Sequence, residues 1–146
     1  MNHISSKKIT NFFIKKLTQI GVEPIVAEAT SNALVEASLF GIDSHGVNLF
    51  QHYCEAVNGG RISKNKDINF NRNGAIIICD AKNVFAHYAA LELLSEMHEV
   101  SKEYGVSIGT IRSSDHIGAV GIHSINSKIK NIRIIVRHKV RIRNFK

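Results

Sequence analysis

Apolar positions recur at helical spacing through the first part of the chain. Ser5 is suited to cap a helix in which Ile9, Phe12, Phe13, Leu17 and Ile20 share one face, and Gly21 ends it. Glu23-Pro24 opens a second helix, because proline is tolerated at the first helical position, where its missing N–H costs nothing. Ile25, Ala29, Ala33, Leu34 and Ala37 form its expected apolar face, and Gly41 closes it. A third helix is expected over 46–57, with Val47, Phe50, Cys54 and Val57 on one side, before Gly59-Gly60 stops it. The stretch 61–74 is polar, rich in Asn and Lys, and reads as a loop.

The pattern then changes. Ala75-Ile76-Ile77-Ile78-Cys79 is a short continuous apolar run, as expected of a buried strand. Phe85, Ala89, Leu93, Met97 and Val100 mark a long amphipathic helix over 84–104, closed by Gly105. A second strand is expected over 106–111, and Gly118-Ala119-Val120-Gly121 opens a further helix. Leading helices followed by one β-α-β unit predict an α/β domain with some parallel sheet.

Charge divides the chain at about residue 127. The net charge of +7 suggests nucleic acid, but Lys128, Lys130, Arg133, Arg137, Lys139, Arg141, Arg143 and Lys146 supply eight positive charges with no acidic residue among them. The other 127 residues hold 11 basic and 12 acidic side chains and are nearly neutral. The chain therefore reads as a domain over 1–127 and a basic tail over 128–146. Three readings of that tail stand side by side: a strand with a cationic face, a solvated interaction tail, or the product of a shifted reading frame in AT-rich DNA. The first two carry the rival functional reading, a small nucleic-acid-binding protein acting through its tail. One aromatic, Phe145, leaves base stacking poorly provided for.

No apolar run approaches the roughly 20 residues that a membrane-spanning helix needs, and Cys54 and Cys79 form no CxxC pair. A reduced, cytoplasmic protein without a structural zinc site is expected. His52, His87, His98 and His123 have no partners at metal-ligand spacing and receive no functional role.

Two short segments carry candidate chemistry. In Gly41-Ile42-Asp43-Ser44-His45-Gly46-Val47, a histidine able to exchange protons near neutral pH has a hydroxyl and a carboxylate beside it. The same residues also suit a helix start, with Asp43 or Ser44 as cap and His45 on the surface. Ser113-Ser114-Asp115-His116-Ile117-Gly118-Ala119 follows a predicted strand, where α/β sheets usually place ligands, and its backbone N–H groups could face an anion. It too reads equally as a capped helix start.

Taken together, the two segments resemble the malate/L-lactate dehydrogenase family, which includes ureidoglycolate, sulfolactate and diketogulonate dehydrogenases. His45, Gly46, Val47 and Tyr53 match the family's Gly-x-Asp-Ser-His-Gly-Val segment and the tyrosine in the helix after it. Ser114, His116, Gly118 and Ala119 match its Ser-Asn-His-Phe-Gly-Ala segment. The resemblance covers residues 5–127 and fades where the basic tail begins, which favours a truncated or frameshifted family member. It implies the N-terminal, incomplete part of a non-Rossmann NAD(P)-dependent dehydrogenase fold, and no GxGxxG occurs here. It also implies hydride transfer between NAD or NADP and C2 of a small 2-hydroxy or 2-keto acid, in an enzyme that forms a homodimer.

The site residues follow from the same resemblance. His116, or His45 oriented by Ser44, would exchange the proton at the C2 oxygen, and Tyr53 would lie near the substrate. His45, Gly118 and Ala119 would lie by the cofactor. Two positions depart from the family pattern. Leu49 stands where an arginine commonly binds the substrate carboxylate, and Asp115 stands in place of asparagine beside His116.

Overall fold

The structure is a computed structural model that describes residues 4–126. The tail 128–146, with the three readings of it and the nucleic-acid reading that rests on it, lies outside the described residues.

Two long helices packed against each other open the chain: α1 (Ser6–Gln19) and α2 (Pro24–Leu39). Ser5 caps α1 by accepting a bond from the Lys8 N–H at 3.4 Å, and Gly21 supplies the left-handed turn, φ +92°, that releases the chain. Two short 3₁₀ turns, Asp43–His45 and Val47–Leu49, then lead into α3 (Phe50–Asn58). Beyond α3 come β1 (Asn69–Asn73), β2 (Ile76–Asp80), α4 (Ala86–Tyr104), β3 (Ile108–Arg112) and α5 (Val120–Asn126). The three strands form one sheet in the order β1-β2-β3. β2 and β3 are parallel, with Ile76 opposite Ile108 and Asp80 opposite Arg112, so β2-α4-β3 is the expected β-α-β unit.

The principal core lies between the helices. Leu17, Val26, Leu34, Tyr53, Val57, Ile62, Val84 and Phe85 are all buried in it, and Phe50 of α3 stacks on Phe13 of α1 with ring centroids 3.7 Å apart. A second cluster, Ile77, Cys79, Ala89, Leu93 and Val100, glues the inner sheet face to α4. Each Leu or Val buried in this way contributes about 1.5–3 kcal/mol.

Four expectations need correction. The polar stretch 61–74 is not all loop: Asn69–Asn73 pairs antiparallel with β2, from Asn69 opposite Asp80 to Asn73 opposite Ile76. Only Phe70 of this strand turns inward, so its apolar signal is too thin to register, while Gly74, at φ +56°, makes the tight turn. Secondly, β2 is not buried on both faces. Ile77 and Cys79 point to α4, but Ile76 and Ile78 are 47% and 38% exposed, because helical cover lies on one side of the sheet among the described residues. Thirdly, α2 is wedged between α1 and α4 and is buried nearly all round, at Val26, Ala27, Thr30, Leu34 and Ala37, whereas Ile25 stays exposed. Finally, the third helix starts at Phe50 rather than 46 and buries Tyr53, Ala56 and Val57.

Leu34→Ala should cost about 2–5 kcal/mol of unfolding free energy, the usual range for a fully buried leucine. Ile25→Ala should cost under about 1 kcal/mol. Equal losses in urea denaturation followed by circular dichroism would contradict this account of α2.

Candidate active site

The first motif is clamped to the end of α2. Gly41, at φ +76°, turns the chain out of the helix, and the Ser38 hydroxyl accepts a bond from the Val47 N–H at 3.0 Å. Gly46 lies so close to Ser38 that a β-carbon would collide with it, which accounts for glycine at that position. The resulting 3₁₀ turn presents a half-buried His45, whose Nδ1 is 2.9 Å from the Ser44 hydroxyl.

The second motif leaves the carboxyl end of β3. Ser113 takes a left-handed conformation, φ +53°, and its carbonyl accepts from the Asn83 N–H at 2.7 Å, tying this loop to the one that follows β2. The turn brings His116 over α3. There the Tyr53 hydroxyl lies 2.9 Å from His116 Nδ1 and 3.2 Å from the His116 carbonyl oxygen. The ring centroids of His45 and His116 are 5.3 Å apart. Ser44, His45, Tyr53 and His116, drawn from sequence positions far apart, thus meet at one place.

The glycine after His116 has a packing reason. Gly118 is at φ +70°, and a β-carbon there would come within 2.7 Å of His87 Nε2. Its N–H points to His116 Nδ1 at 3.3 Å. Ala119 packs with Ala33, Ala37 and Ile122, between α2 and α5.

The match to the family model for malate/L-lactate dehydrogenase spans residues 4–130. This chain belongs to the malate/L-lactate dehydrogenase family. It is 28% identical over 122 residues to the malate/(S)-sulfolactate dehydrogenase of Methanothermus fervidus, covering 83% of this chain and 36% of that protein. Against the malate dehydrogenase of Pyrococcus abyssi it is 25% identical over 123 residues, 84% of this chain and 34% of the other. The crystal structure of malate dehydrogenase from Entamoeba histolytica superposes with a TM-score of 0.79 at 26% identity, covering 84% of this chain and 35% of that one. The chain therefore spans about a third of the length of the relatives it matches.

Within this family portion, three residues at or beside the site were not legible in the sequence. His87 and His123, assigned no role from spacing, are buried and stand against the site. The His87 ring meets Tyr53 edge-on at 5.2 Å and His123 at 5.8 Å. The available signal was His87 lying inside the apolar run Val84–Ala90, where a side chain is more often enclosed than solvated. The third is Arg61, whose guanidinium lies 2.8 Å from His52 Nε2 and 3.9 Å from the Asp115 carboxylate. Leu49, at the family's arginine position, packs against the principal core.

Burial sets the electrostatics. It pushes the His87 imidazole down to about 3, with the neighbouring His123 and His116 adding to the effect. His123 is lowered by burial too, although the Ile117 carbonyl, 3.3 Å from its Nε2, works the other way. Tyr53 is raised well above the ordinary phenol value, first by burial and then by the Asp115 carboxylate, so its hydroxyl keeps its proton.

These shifts fix the sign of an acid effect. An unfolded histidine takes up a proton near 6.5, and buried His87 does so only near 3. Between these values the unfolded state binds more protons, so stability is unaffected by this group above about pH 6.5 and falls as the pH drops toward 3. Urea midpoints measured from pH 7.5 to 4 should show that decline, and His87→Gln should make it shallower. Parallel slopes for the two proteins would refute the assignment.

Proposed function

We propose that this chain carries the proton-exchanging part of a dehydrogenase that interconverts small 2-hydroxy and 2-keto acids with a nicotinamide cofactor, NAD or NADP. The observation that supports this reading is the convergence of His45 and His116, 5.3 Å apart, each with a ring nitrogen 2.9 Å from a hydroxyl. Reducing a ketone at C2 requires a proton at the oxygen as well as a hydride at the carbon, and the reverse reaction removes both. An imidazole is the side chain best matched to that proton near neutral pH. Ser44 orients one ring and Tyr53 the other. Either can serve a C2 oxygen lying between them.

The turn at Gly118 does not by itself fit a dinucleotide's phosphates. The Gly118 N–H is turned to His116, and the space beside its α-carbon is filled by His87. No step is therefore derived through the cofactor, and of the residues expected beside it only His45 presents a polar side chain. The relatives, of which the matched portion makes up about a third, are dehydrogenases by name, and none of those compared above supports the nucleic-acid reading.

A 2-keto acid also brings a carboxylate. Leu49 has no charge to offer it, whereas the Arg61 guanidinium lies 3.9 Å from the carboxylate of Asp115, the residue next to His116. Arg61 is the cation we assign to the substrate carboxylate. A guanidinium can hold it with paired N–H bonds.

The test is a chimera in which residues 4–126 replace the matching part of the Methanothermus fervidus enzyme, assayed with NADH or NADPH and a panel of 2-keto acids. The chimera should reduce at least one of them, and His116→Gln or His45→Gln should lower kcat on the order of 10²–10⁴-fold. Arg61→Gln should raise KM more than it lowers kcat. A folded chimera whose turnover is untouched by both histidine changes would sink the reading.

A further inference from the structure

The two motifs that meet at the site carry two carboxylates, Asp43 and Asp115, and neither a lysine nor an arginine. The fold brings Arg61 to them from the segment after α3, with its Nε 3.9 Å from the Asp115 carboxylate. Arg112, the residue before the second motif, is paired with Asp80 at 3.0 Å, and Leu49 adds no charge. Leaving the imidazoles aside, the motifs and Arg61 together hold two negative charges against one positive before any substrate arrives.

The charge on Asp115 is poorly dispersed. Its side chain is only 17% exposed, so water screens it less than a surface carboxylate, and its Oδ2 is buried with no hydrogen-bond partner. The contact with Arg61 is a long one. Its field reaches the reacting groups, because it helps to keep the Tyr53 hydroxyl, 2.9 Å from His116 Nδ1, in its protonated form.

We propose that Asp115 is a specificity-determining residue that selects 2-hydroxy and 2-keto acids with a single acidic group over those with two. The use of this selection in catalysis rests on the dehydrogenase reading above, with Arg61 as the cation for the C1 carboxylate. Arg61 has one guanidinium to offer, and Asp115 already draws on it. A first carboxylate takes that cation, whereas a second acidic group on C3 or C4 meets Asp115 with no cation supplied by either motif. A neutral group in the same place escapes the repulsion, and an ammonium group would be attracted. Discrimination of this kind comes from an unfavourable contact with the wrong ligand rather than an added contact with the right one. Unit charges several ångströms apart near a protein surface repel enough to change affinity about tenfold.

Malate and its 4-amide are nearly alike in shape and differ by one charge. Their affinities for the full chain are read at neutral pH from the shift of the His45 ring-proton signals in nuclear magnetic resonance titrations, these signals being identified by their loss in His45→Gln. The 4-amide should bind about tenfold more tightly than malate. Asp115→Asn keeps the side-chain shape and removes the charge, so it should tighten malate about tenfold, move the 4-amide far less and bring the ratio near one. Equal affinities in the unaltered chain, tighter binding of malate or binding of neither acid would overturn the proposal, and each decides it without the variant. A ratio that Asp115→Asn leaves in place would overturn it too. If the ratio behaves as expected while the chimera is indifferent to both histidine changes, the dehydrogenase reading fails and the selection by charge stands.

Discussion

Burying Tyr53 places a large ring in the principal core and commits its hydroxyl to finding a partner there, since an orphaned hydroxyl would cost about as much as a lost hydrogen bond. The partner is a residue 63 positions further along the chain, on the loop that leaves β3. That contact joins the helical layer, which contributes His45 and Tyr53, to the β-α-β unit, which contributes His116. The packing of Ala119 and Ile122 against Ala33 and Ala37 of α2 supports the same approach of the two loops. The site is therefore a property of the packed molecule and has no local substitute.

A second constraint supports the first from behind. His87 occupies the space that a side chain at position 118 would need, so the turn after His116 can pass close above it only as glycine. His87 in turn braces the edge of the Tyr53 ring and contacts His123 from α5. Three histidines and a tyrosine thus share one wall, and burial keeps the inner two uncharged, which removes the repulsion that two imidazolium rings at this separation would feel. The sensitivity of the fold to acid and the integrity of the site therefore have a common origin.

The outer half of the molecule is less complete. Ile76 and Ile78 on β2 and Ile108 on β3 form an exposed apolar strip on the sheet face away from α4. The relatives are about three times as long as the portion matched here, and the family fold has correspondingly more to place around this sheet. At the site, two imidazoles and the Arg61 guanidinium are gathered within the described residues.

Much of this was legible in the order of residues. Caps and breakers such as Ser5, Pro24 and Gly105 act within one turn of the backbone, so the helices they bound could be read directly. The family resemblance likewise rested on two short motifs, and it named Ser44, His45, Tyr53 and His116 before any fold was known. Strand β1 was lost because pairing with β2, not its own apolar content, makes it a strand, and the facing of Ile76 was lost because a run of isoleucines does not reveal which side will be covered. The same limit applies to chemistry. His87, His123 and Arg61 have no spacing that marks them, and their proximity to the site comes from how α4, α5 and the segment after α3 pack around Tyr53. Local patterns determine what a segment can form, but burial and proximity are decided by partners distant in sequence, and only the folded chain brings those partners together.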